Sequence, residues 1–114
     1  EGGAFGQGHK TTIKFGELVG ALASGDTRYY MTTQALKEDG DGPTVLHGPP
    51  LDALENDFPE QLSLLAPLVP WQHNLWMGRT RDGSSSGLHH DFHDNIYVLL
   101  RGCKRFTLLP PSHA

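Results

Sequence analysis

Cysteine is almost missing from this chain. Cys103 is the only one in 114 residues, so no disulfide can form within it, and a lone thiol suits a reducing, intracellular compartment, cytoplasmic or nuclear. Positive charge is also scarce. Nine Lys and Arg stand against thirteen Asp and Glu, a net charge of −4, and the basic residues are scattered singly, which leaves no electrostatic footprint for direct nucleic-acid binding or for an anionic membrane surface. Long apolar runs are absent as well. The longest stretch free of charged side chains, Gln61 to Gly78, is interrupted by Pro67 and Pro70 and carries Gln72, His73 and Asn74, which hydrocarbon would not tolerate. No basic segment followed by an apolar one marks a secretory signal. A chain of this size buries about two-thirds of its unfolded surface, enough for one core. It opens on Glu1, its first methionine is Met31, and Pro110-Pro111-Ser112 follows a strand-like run directly; both ends therefore read as cut.

Glycines at 2, 3, 6 and 8 with little apolar content make residues 1–10 a linker or loop, and residues 11–114 the body of a single domain. Phe15, Leu18, Val19 and Leu22 fall on one face of a helix, with Gly25 where a stop is expected. Arg28 to Thr33, rich in Tyr and Thr, reads as a strand. Lys37 to Pro50 is Gly- and Pro-rich and reads as an exposed loop. Leu51, Leu54 and Phe58, and then Leu62, Leu65 and Leu68, have the spacing of two short helices. Trp76 and Met77 begin a run ending at Gly78, and 80–87 is a polar loop. Leu88–Asp91, Asn95–Leu100 and Lys104–Leu109 read as three strands, the last two joined at Arg101-Gly102-Cys103 and stopped by Pro110-Pro111.

Three of the seven histidines lie within Leu88-His89-His90-Asp91-Phe92-His93. Such a run can be a solvated polar turn. It can also be an i, i+4 metal pair on a helix, His89 with His93, but Gly87 on one side, a β-branched and aromatic run on the other, and the lack of a glutamate general base argue against that. On a strand, His89 and Asp91 share a face about 7 Å apart, within reach of one metal at bonds of roughly 2.0–2.2 Å, while His90 points away. His-x-Asp supplies two corners of the two-histidine, one-carboxylate set that binds Fe(II). If Gly102 and Cys103 form the turn of the following hairpin, Tyr97, Leu99, Lys104 and Phe106 share one face; a three-residue turn would reverse the pairing. An ammonium in that company must snorkel outward or meet an anion.

The run from Gly83 to Phe106, with its Leu-His-x-Asp at 88–91, Asn95, Gly102-x-Lys104 and the later Pro110-Pro111, resembles the core of JmjC-type, cupin-like 2-oxoglutarate oxygenases. Trp76-Met77-Gly78 resembles the strand preceding that core, and Arg28-Tyr29-Tyr30 an earlier one, so the resemblance spans about Arg28 to Pro111 and is most specific from Ser86 on. It implies a mainly β fold with flanking helices (α+β), the N-terminal portion of a double-stranded β-helix or jelly roll. It further implies that His89 and Asp91 ligate Fe(II), that Lys104 pairs with the distal carboxylate of 2-oxoglutarate helped by Ser86 and Tyr30, and that Asn95 lies beside the keto-acid end. Without the resemblance, Ser86 is a loop hydroxyl and Tyr30 a core tyrosine.

The family's third ligand is a later histidine. His113 follows the Pro-Pro turn that leads away from the metal, so the third ligand is expected beyond Ala114 and the stretch alone is expected to be inactive. His9, His47 and His73 are expected to be solvated. The implied activity couples oxidative decarboxylation of 2-oxoglutarate by O₂ to oxidation of a substrate C–H bond. The lack of a basic patch or reader module favours hydroxylation of a protein or peptide over histone lysine demethylation, and the alternative from another class is a noncatalytic cupin-like scaffold, a reading opposed by the presence of the His, the Asp and the Lys together.

Overall fold

The structure is a computed structural model that describes residues 8–32, 34–80 and 84–113. The expected linker at 1–7, the end of the first strand at Thr33, and Arg81, Asp82 and Gly83 of the polar loop lie outside the described residues.

Helix α1 spans Phe15–Ala23 and buries Leu18, which is 3% exposed. Its end is set by Gly25 at φ +92°, a left-handed conformation that a Cβ would strain. Gly25 N–H donates to the Leu22 carbonyl at 3.1 Å and Asp26 N–H to the Ala21 carbonyl at 3.0 Å, so two last-turn carbonyls that would otherwise lack partners are satisfied in the Schellman arrangement.

The chain then enters β1, Tyr30–Met31, which pairs antiparallel with β4, Met77–Gly78, in the register Tyr30 opposite Gly78 and Met31 opposite Met77. Gly78 is needed there. A Cβ on it would collide with the Tyr30 ring, which lies across the partner strand. The pairing is prolonged by side chains. Gln34 Nε2 donates to the Leu75 carbonyl at 2.8 Å while Leu75 N–H donates to Gln34 Oε1 at 2.8 Å, so one amide takes the place of a ladder rung. Gln34 N–H donates to Asn74 Oδ1 at 3.1 Å, and Gln72 Nε2 donates to the Gln34 carbonyl at 2.6 Å and to Asn74 Oδ1 at 2.9 Å.

The 37–50 stretch is not wholly irregular as expected. Strands β2, Glu38–Asp39, and β3, Gly42–Pro43, form a hairpin around Gly40-Asp41. Asp41 N–H donates to Asp39 Oδ1 at 3.0 Å and Thr44 N–H to the Lys37 carbonyl at 3.0 Å. Asp-Gly chemistry favours such a turn even where composition alone reads as loop. The two expected helices are single 3₁₀ turns, Leu51–Leu54 and Ser63–Leu65. Pro59 and Pro67 lie too close for longer ones, because a proline interior to a helix removes a donor and clashes with the preceding turn. Leu51 is the second buried apolar side chain, 8% exposed.

The three strands expected at 88–91, 95–100 and 104–109 are not formed: among the described residues, 84–110 carries no ladder. Strand character in the sequence is a preference for a pleated, half-buried surface, and a strand exists only against a hydrogen-bonded neighbour, which the described residues do not supply. Leu100 and Leu108 accordingly remain 81% and 86% exposed.

Candidate functional site

The His89–Asp91 segment is fixed by local bonds. His89 Nδ1 lies 3.0 Å from the Gly87 carbonyl oxygen. Since that oxygen only accepts, the contact suits the tautomer with its proton on Nδ1. Metal-bound histidines are oriented in this way, by a backbone carbonyl on the other ring nitrogen. Asp91 is oriented too. Asn95 Nδ2 donates to Asp91 Oδ2 at 2.9 Å and to the His93 carbonyl at 3.2 Å, leaving Oδ1 of Asp91 as the second donor. A neutral imidazole and a carboxylate are the ligand types that an Fe(II) site of the two-histidine, one-carboxylate kind takes. Among the described residues no group of three or more His, Cys, Asp or Glu is gathered for a metal.

The neighbouring rings have different partners. His90 meets Phe92 edge to face, with centroids 5.5 Å apart, whereas His93 stacks on Trp71 at 5.3 Å with 25° between planes. No helix forms at 88–95, in agreement with the sequence argument against a helical His89–His93 pair.

Lys104 sits over three rings. Its Nζ is 4.5 Å from the centroid of Tyr97, 5.3 Å from that of Phe106 and 5.8 Å from that of Trp76, and Tyr97 and Phe106 touch edge to face at 5.3 Å. The three residues Tyr97, Lys104 and Phe106 therefore share a face, as a two-residue turn sorts them, even without ladder bonds; Gly102, at φ +96°, reverses the chain. Among the described residues no carboxylate lies within ion-pair distance of Lys104. Among the described residues the ammonium is held by ring quadrupoles, an arrangement worth about 0.5–2 kcal/mol. Trp76 precedes β4, and two-residue alternation puts it on the face of Gly78 and of Gly78's partner Tyr30. Tyr30 and Lys104 thus flank Trp76. Ser86 is exposed in the segment leading to His89.

His47 and His73 are not solvated as expected. They stack at 5.8 Å, each meets the edge of Phe58, at 5.8 and 5.6 Å, and the Nδ1 of each is buried with no hydrogen-bond partner. The His73 N–H donates to the Leu46 carbonyl at 2.7 Å and holds the two segments together. A histidine between loop residues gives no burial signal in sequence. The amide cluster of Gln34, Gln72 and Asn74 was likewise unmarked, since its partners lie some 40 positions apart.

The chain, with its small two-stranded sheets and short helices, has a family counterpart. The chain belongs to the JmjC-type, cupin-like family: it matches the cupin-like domain over residues 3–114, and that family's fold is the jelly roll. It is 43% identical over 124 aligned positions to JmjC domain-containing protein 4 of Schizosaccharomyces pombe, covering 98% of this chain and 26% of that relative. It is 55% identical over 38 residues to JmjC domain-containing protein E of Dictyostelium discoideum, covering 33% of this chain and 10% of the relative. To a lysine-specific demethylase of Arabidopsis thaliana it is 44% identical over 39 residues, 34% of this chain and 11% of the relative. The chain thus spans about a quarter of the first relative's length and about a tenth of the other two. No solved structure matches it significantly. Among the described residues no helix is long and apolar enough to cross a membrane.

Proposed function

We infer that this chain is part of an Fe(II)- and 2-oxoglutarate-dependent oxygenase that hydroxylates a protein or peptide side chain. The observation that carries this reading is the oriented pair itself: His89 with its proton committed to the Gly87 carbonyl and Asp91 with one oxygen committed to Asn95. Iron held there with 2-oxoglutarate would supply the oxidising power for a C–H bond. The rest falls to the chain's own residues. His89 and Asp91 hold the metal. Lys104, on its aromatic seat, binds the distal carboxylate, and Tyr30, on the face shared with Trp76, and Ser86 donate to the same group. Asn95 keeps Asp91 aimed and lies beside the keto-acid end.

Demethylation of lysine is a second reading, favoured by the likeness to the lysine-specific demethylase of Arabidopsis. Both are oxidations and their products differ. Mass spectrometry of candidate peptides incubated with the complete protein, Fe(II), 2-oxoglutarate and O₂ should show the gain of one oxygen atom without formaldehyde. Formaldehyde release with loss of a methyl group would select the demethylase, and peptide binding with no 2-oxoglutarate consumption would select a noncatalytic scaffold.

A further inference from the structure

Trp71 lies 18 residues before His89 and belongs to no regular element, yet it is the piece on which two distant parts of the chain meet. One side of its ring covers Gly42 at the start of β3. That backbone is at φ +129°, and a Cβ there would stand 2.5 Å from Cη2 and 3.1 Å from Cζ2 and Cζ3 of Trp71, so glycine is required both by conformation and by close approach. The His93 ring stacks on the same indole. The carbonyl of His93 accepts from Asn95 Nδ2, and the same Nδ2 donates to Asp91 Oδ2. A continuous path of contacts therefore runs from the β2–β3 hairpin through Trp71, His93 and Asn95 to the carboxylate of Asp91.

Resting on the metal reading above, we propose that Trp71 and His93 form a stacked brace that presets the Asp91 carboxylate as a metal ligand, with Gly42 as its seat. His93 acts here through its ring and its backbone carbonyl. Its imidazole lies flat on the indole and is a positioning group. Stacking fixes the backbone of residue 93, the fixed carbonyl shares the Asn95 amide with Asp91, and the shared amide decides which carboxylate oxygen remains for the metal. Asp91 lies in a stretch with no ladder bonds, so no strand neighbour performs this task among the described residues. Partners of this kind typically govern metal affinity by about 10- to 100-fold.

The test is Mn(II) binding, followed by electron paramagnetic resonance, in the complete protein and its variants, together with the unfolding midpoint of each metal-free form. The parent should bind Mn(II) and His89→Ala should not. His93→Ala and Trp71→Ala should each weaken binding by about tenfold or more with little change in the metal-free midpoint. The double variant should be no worse than the weaker single one, because both remove the same contact. His93→Phe keeps a ring on the indole and should restore near-parent affinity. Four results would overturn the brace: unchanged affinity in His93→Ala, an additive double loss, a lowered midpoint with affinity intact, or His93→Phe failing as His93→Ala does, which would mean that an imidazole nitrogen acts. Failure of the parent to bind, or binding undisturbed by His89→Ala, would overturn the metal reading and the brace with it, and is told apart because it appears before residue 93 is touched.

Discussion

Lys104 shows how much one charge depends on what surrounds it. On rings alone an ammonium is weakly held; with a carboxylate beside it the same site becomes a charge-assisted pair. Lys104→Met keeps the stem and the ring contacts but removes the charge, so 2-oxoglutarate binding to the complete protein should weaken by about 2–5 kcal/mol by calorimetry, with metal binding retained. Equal affinity in the variant would make Lys104 a lysine packed on aromatics and nothing more. Asp26 is a charge away from the site. Hydrogen bonds from the Arg28 side chain, at 2.6 to 3.1 Å, and from its N–H hold the Asp26 carboxyl well below the ordinary 3.8, at about 2. A lowered carboxylate pKa stabilises the folded state at pH values above the unfolded pKa, and that contribution is lost as pH falls from about 4 toward 2. Asp26→Asn should therefore lower the unfolding midpoint near neutral pH, with the difference from the parent shrinking through that acid window. At this scale a residue type can announce a chemistry to be tested, as His89, Asp91 and Lys104 do, but the sequence is silent where only neighbours matter. Nothing in His47 or His73 indicates that Phe58 will cover them.

Among the elements, α1 was readable because helix period, buried face and stop signal are all local. The β1–β4 pair was readable only in part. Tyr29 to Thr32 carries strand preference, but the register that lays the Tyr30 ring over Gly78 spans nearly fifty positions, beyond any local pattern. Two glycines give opposite expected outcomes. Gly78→Ala forces a methyl into the Tyr30 ring and should destabilise the protein by about 1–3 kcal/mol in denaturant unfolding. Gly20 lies within α1 with open space around it, so Gly20→Ala should stabilise by about 0.4–1 kcal/mol. If both behave alike, the close approach of Tyr30 to Gly78 is not what the site rests on. The β2–β3 hairpin was read as loop because Asp, Gly and Pro mark turns and strand ends indistinguishably. The expected strands at 95–109 failed for the opposite reason: their pattern is strong, and a pattern needs a partner.

Across the whole molecule, two apolar side chains are buried among the described residues while those of 88–109 stand largely exposed. In a jelly roll such segments are covered on one or both faces. The amides of 95–100 and 104–109 should therefore exchange slowly in the complete protein, as measured by hydrogen exchange, and rapidly in residues 1–114 alone. The most direct test of the metal reading lies in three neighbouring residues. The His90 ring meets that of Phe92, and in the strand that the metal reading requires, alternation would turn His89 and Asp91 to the opposite side. Succinate formation from 2-oxoglutarate and O₂ by the complete protein should be abolished in His89→Ala and Asp91→Ala and largely kept in His90→Ala, with folding verified for each because loss of a ligand can also unfold a metal-coupled domain. Equal loss in all three folded variants, or no succinate from the iron-loaded parent with any candidate peptide, would contradict it.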